Sequence, residues 1–185
     1  MVDSPGGGPH PVPVGRDEGT LSERYIIQPV GPEADPIVVD HWRELWLEGG
    51  VLPSQLRENH REITLHFIAE ARARLQYQTF VAVDSEHRIV GSASSQRWEA
   101  PFPMVATTPL LNLGTVWCIF VRPPHRRRGL GTRLVAACMT HWEAIGCSRG
   151  ILMYASESGR RIYQKAGFAA GNVLLVDGLR GVIPS

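Results

Sequence analysis

The stretch Val121–Leu134 reads VRPPHRRRGLGTRL, and it joins two different kinds of structure. Ahead of it, Val116 to Val121 (VWCIFV) is a near-continuous apolar run, the pattern of a central strand buried on both faces. Pro123 and Pro124 stop that strand, because proline cannot donate to a ladder. Behind it, Leu130, Leu134, Cys138, Trp142 and Ile145 recur every three or four residues and mark one apolar face of a helix, with Gly146 placed as its stop. A turn rich in glycine and arginine thus links a buried strand to a helix. At a helix start the first backbone N–H groups lack intrahelical partners and the helix dipole is positive. Glycine lets such a backbone come close to a ligand and adopt positive φ. Together these features predict an anion cradle suited to a pyrophosphate, with the arginines adding charge for other phosphates.

Outward from this turn, helical and strand patterns alternate. Tyr25, Ile26, Ile27 and Val30 suggest a first strand. Ile37, Val38, His41, Trp42, Leu45 and Trp46 form a helical stripe between Pro36 and Glu48, ended by Gly49 and Gly50. A second helix is expected from near Pro53, with Ser54 as its N-cap, to about Leu75. Thr79–Val83 and Ile89–Gln96 read as a hairpin around the turn Asp84-Ser85-Glu86-His87. Residues 98–112 hold three prolines and read as a long loop. Past the central helix, Ile151–Tyr154 reads as a strand, Ser158–Ala166 as a short helix and Val173–Val176 as a last strand. The interleaving predicts a mixed α/β fold, one sheet with helices packed on its faces.

Composition bounds the function. The chain has 185 residues, enough for one domain, with 43% hydrophobic and 20% charged residues and a net charge of +1. That balance gives no global pull toward nucleic acid or an anionic membrane, and the HRRR cluster has no interleaved aromatic platform, so no nucleic-acid partner is expected. Cys118, Cys138 and Cys147 are odd in number and form no C-x-x-C pair, so neither a disulfide framework nor a metal site is expected. No apolar run approaches a membrane span. Residues 1–22 are rich in Pro and Gly and read as a flexible tail, leaving 23–185 as a single domain. The tail lacks the apolar core of a secretory signal, so the expected location is the cytoplasm.

Which phosphate ligand the turn suits follows from its pattern. A P-loop requires Lys after its second Gly, and none is present. A dinucleotide fingerprint requires a third Gly where Leu134 stands. Arg126-Arg127-Arg128-Gly129-Leu130-Gly131 instead matches R/Q-x-x-G-x-G/A, and one helix and one strand later comes Ile162-Tyr163-Gln164-Lys165-Ala166-Gly167-Phe168, a Y-x-x-x-G-F stretch. With these two pieces in this order, the chain resembles the GNAT superfamily of N-acetyltransferases over roughly Arg24 to Asp177.

The resemblance implies a mostly antiparallel twisted sheet with helices on both faces and a splayed strand pair that admits acetyl-CoA or another acyl-CoA. It implies that Arg126, Arg127, Arg128, Gly129, Leu130, Gly131 and Thr132 hold the pyrophosphate. Ile119, Phe120 and Val121 would meet the pantetheine arm, with Ser156 and Tyr163 also on the cofactor side. It further implies direct attack of a neutral amine on the thioester, with Tyr163 as the acid that protonates the leaving thiolate. An alkylammonium with pKa about 10.4 needs a proton acceptor first. Where many relatives carry Glu, this chain has Trp117, which accepts no proton. Glu99 is the best substitute by position, ahead of Tyr154 and His141. Trp98, Phe102 and Trp117 are candidates for the acceptor side, with Met104 nearby. Glu44, Glu48, Glu58 and Glu62 read as a solvated helical face. The acceptor is expected to be a small-molecule or peptide amine, and a homodimer stays open. The lost Glu keeps a second reading open, an acyl-CoA-binding sensor without turnover.

Overall fold

The computed structural model describes residues 24–99, 112–152 and 155–169. Among these residues five strands form one sheet in chain order: β1 (Tyr25–Val30), β2 (Gln78–Asp84), β3 (Ile89–Arg97), β4 (Leu113–Val121) and β5 (Arg149–Ile151). The first four pair antiparallel and β5 joins β4 in parallel. Four α-helices among the described residues flank them: α1 (Asp35–Glu48), α2 (His60–Arg74), α3 (Leu130–Ala144) and α4 (Glu157–Lys165).

The two-residue period of β3 shows that both faces are covered. Ser92 bonds His41 of α1 and Ser94 bonds Tyr77, so these side chains face the α1–α2 layer. Ala93 packs with Leu134, Val135 and Cys138, and Ser95 reaches the Cys138 carbonyl and His141, so these face α3. Small residues on both faces of β3 let helices approach the sheet closely on either side. One core gathers α3, Val116 and Tyr163 of α4, and the other gathers Val38, Val39 and Trp42 of α1 with Ile68 and Ala71 of α2.

Three expectations shift. The second helix begins at His60 with Asn59 as N-cap, not near Ser54. Pro53–Gln55 is a single 3-10 turn, and Leu56 is extended (ψ 136°), which breaks the helical path. β4 starts at Leu113, three residues before the apolar run, because its first residues pair with both β3 and β5. β5 lies slightly earlier than expected, at Arg149–Ile151. The expected tail 1–22, the loop with Phe102 and Met104, Tyr154, and the strand Val173–Val176 lie outside the described residues.

Candidate active site

The site begins with an irregularity in β4. Ser92 pairs with Phe120 and Ser94 with Trp117, so Cys118 and Ile119 together oppose Ala93. This is a β-bulge, and Cys118 takes the left-handed conformation (φ 42°) to form it. The extra residue breaks the alternation of side chains. Trp117 and Cys118 both turn toward α1 and α2, Ile119 turns toward the α3–α4 core, and Phe120 returns to lie 4.9 Å from the His41 ring.

The second irregularity is on the other edge. β5 pairs with β4 only at Leu113, Gly114 and Thr115. From Val116 to Val121 that edge of β4 has no ladder partner among the described residues.

β4 leads through a 3-10 turn (Pro123–His125) to the start of α3. Arg127 (φ 62°) and Gly129 (φ 75°) both take the left-handed conformation, which folds the intervening amides toward one side. Gly129 is the N-cap of α3, and no side chain caps the helix. A Cβ added at Gly129 would meet nothing within 4 Å, so the mouth of the turn is open. At Gly131 an added Cβ would lie 2.7 Å from Ile162 Cδ1, so this glycine serves the approach of α4 to α3. Leu130 is buried with Tyr25, Ala82 and Val90, and anchors the turn from below. Thr132 is exposed on the first turn of the helix.

The arginines divide. Arg126 donates to the Val121 carbonyl (2.7 Å) and to both carboxylate oxygens of Glu48 (2.6 and 2.9 Å), and its guanidinium lies over Phe120. Arg128 reaches the Pro124 carbonyl and lies over Tyr25. Arg127 is exposed, with no hydrogen bond or ion pair to another described residue. Glu44 also faces this region, 4.0 Å from Arg122. Two of the four glutamates read as a solvated face therefore belong to the site's edge.

Tyr163 comes to the α3–α4 core beside Val116, with Ile119 packed against the same cluster, and its ring meets Phe168 edge-on at 5.6 Å. Burial, with smaller contributions from Cys138 and Cys118, pushes its phenol well above the usual range, so the hydroxyl stays protonated and can donate. Ser156 is the N-cap of α4 and accepts from the Gly159 amide (3.1 Å).

Glu99 stands elsewhere. It follows β3 past Arg97, and the Trp98 amide bonds the Leu113 carbonyl, so both residues lie at the end of β4 opposite Val121. Arg74 holds Glu99 on the surface at 2.8 Å. His141 contacts Ser95 (3.1 Å) and Phe80, a packing role.

The residue that sequence reading missed is His41. It is fully buried, with Nδ1 2.9 Å from Ser92 Oγ, and its Nε2 has no partner among the described residues. Burial and then the charge of Arg122, opposed by Asp40, lower its pKa to about 4. The helical stripe placed His41 on an apolar face, but only packing set it under Phe120.

Among the described residues no cluster of His, Cys, Asp and Glu is arranged to hold a metal, and no helix is long and apolar enough to cross a membrane.

The fold of this sheet and its helices is shared with solved acetyltransferases. A predicted acetyltransferase of Clostridium acetobutylicum, solved with acetyl-CoA, aligns with a TM-score of 0.69 at 18% identity, over 84% of this chain and 96% of that one. A GCN5-related N-acetyltransferase of Ralstonia eutropha aligns at 0.67 and 18% identity, over 83% and 97%. An aminoglycoside N-acetyltransferase in complex with CoA aligns at 0.60 and 19% identity, over 91% and 99%. No curated protein matches by sequence. The sequence model of the acetyltransferase (GNAT) domain matches residues 75–170, more than half of the chain, and the chain belongs to that family.

Proposed function

We propose that this protein is an N-acetyltransferase that moves an acetyl group from acetyl-CoA to a primary amine by direct attack. The observation that carries this reading is the uncapped, open helix start at Gly129, placed at the end of a strand whose far edge has no ladder partner from Val116 to Val121 among the described residues. Bound acetyl-CoA supplies an acyl group activated as a thioester, with a thiol as its leaving group. The amides of Arg127 to Thr132 would hold the diphosphate, and the exposed Arg127 would add charge. Arg126, committed to Glu48, supports the turn instead. The main chain of Ile119, Phe120 and Val121 would bind the pantetheine arm, with Ser156 at the start of α4 nearby. Tyr163, kept neutral by burial, is suited to protonate the departing sulfur. Trp117 offers no base and Arg74 holds Glu99 at the other end of β4, so the ammonium proton is proposed to leave through solvent. The acceptor is a small-molecule or peptide amine, and a homodimer is compatible with this reading. The free thiols of Cys118, Cys138 and Cys147 suit a reducing cytoplasm.

Calorimetric or fluorescence melting with CoA tests the cradle. At a hundredfold excess over Kd, preferential binding adds about 2.7 kcal/mol, or roughly 5–10 °C in a domain of this size. No shift at saturating CoA would overturn the reading. Trp117 at the position of the lost carboxylate favours one alternative, an acyl-CoA sensor; binding of CoA without thiol release across a panel of amines would select it.

A further inference from the structure

We infer that the acceptor site takes a primary alkylamine that carries an aromatic ring, in preference to a polycation or a sugar amine; this rests on the acetyltransferase reading above. Four aromatic side chains gather on the α1–α2 side of the bulge. Trp42 and Trp46 stand one turn apart on α1. Trp117 of β4 stacks near-parallel to Trp42, with centroids 6.2 Å apart at 24°, and Phe67 of α2 meets Trp117 edge-on at 5.3 Å. Trp46 is 52% exposed and lies one turn beyond Trp42, which places it at the solvent edge of this shelf.

Two features give the shelf a chemical preference. First, the indole Nε1 atoms of Trp42 and Trp117 are both buried and have no partner among the described residues, and Trp42 is only 8% exposed. A small shift of either ring that uncovers its N–H would let an acceptor atom on a flat ligand, such as a phenolic or carbonyl oxygen, satisfy a donor that has no partner among the described residues. Second, every carboxylate of α1 is matched by an arginine: Asp35 by Arg72, Asp40 by Arg61, Glu44 by Arg122 and Glu48 by Arg126. A polycationic acceptor therefore finds no free negative charge on this helix. Ring faces, by contrast, stack with an aryl group and attract an ammonium.

The test uses the full chain, acetyl-CoA and four amines: tyramine, tryptamine, butylamine and kanamycin. Thiol release is expected to show kcat/KM for the two arylalkylamines at least about tenfold above the others. Trp117→Leu and Phe67→Leu, each checked for an unchanged melting temperature, are expected to raise KM for tyramine about tenfold and to leave KM for acetyl-CoA within about twofold. Equal or better turnover of butylamine or kanamycin overturns the inference, as does a tyramine KM that neither substitution moves. Calorimetric titration of tyramine into the protein, with and without CoA, separates the two levels of the argument. Failure of CoA to bind defeats the acetyltransferase reading alone. Saturable tyramine heat that Trp117→Leu abolishes upholds the aryl site, and absence of that heat defeats it.

Discussion

Tyr163 keeps its proton wherever an amine is nucleophilic, because burial in the α3–α4 core disfavours the phenolate. In the proposed reaction it serves as a donor, so Tyr163→Phe should lower kcat by about 10²-fold with KM for acetyl-CoA nearly unchanged, a split that steady-state kinetics resolves. His41 makes a different prediction. With its folded pKa lowered to about 4, the imidazole is neutral in both states above pH 6.5. Between 6.5 and 4 only the unfolded chain takes up the proton, so stability is lost as pH falls through that window. The loss reaches about 3 kcal/mol at its lower end. Urea denaturation at pH 7 and 4.5 should show this decline, and His41→Gln should flatten it. Neither role was equally legible beforehand. Tyr163 lies in a recognisable Y-x-x-x-G-F stretch, whereas His41 acquires its environment from Ser92 and Phe120, 51 and 79 residues away along the chain.

At the scale of elements, the turn and the bulge do the positioning. Gly129→Ala meets no atom, so its strain comes only from φ 75°, about 1 kcal/mol. The methyl group would also occupy the open mouth. The expected outcome is a melting temperature lower by roughly 2–4 °C and a CoA Kd higher by about tenfold, read by melting and titration calorimetry. The glycines and the helical period made this turn readable in the sequence, since both are local properties. The bulge was not readable. Which residues of VWCIFV face which layer depends on the register with β3, and the insertion opposite Ala93 reverses the expected alternation from Cys118 onward. The start of α2 was misjudged for a similar reason: Pro53 and Ser54 carry a helix-start signal, but Leu56 leaves the helical path after one turn.

For the molecule as a whole, α1 is fastened to the cradle turn by charge. Glu48 grips Arg126 across 78 positions of sequence, and Glu44 faces Arg122. The pairs are partly exposed, so each contributes at most about 1 kcal/mol. Glu48→Gln should therefore raise KM for acetyl-CoA about two- to fivefold at low ionic strength. That difference should fade in 1 M salt, as screening weakens the wild-type pair. A difference that persists in high salt would mean that Glu48 acts by packing instead.

The order of the described elements, the Gly-rich helix start, the place of Tyr163 on the short helix α4 and the family likeness followed from the sequence alone, because spacing, turn chemistry and apolar period act within a few residues. The tertiary structure decided which groups meet. It tied Arg126 to Glu48, left Glu99 with Arg74 at the far end of the sheet, and turned Trp117 into an aromatic shelf with Trp42 and Phe67. Those outcomes depend on strand register and on helices packing from distant segments, and neither is encoded in any short stretch of the chain.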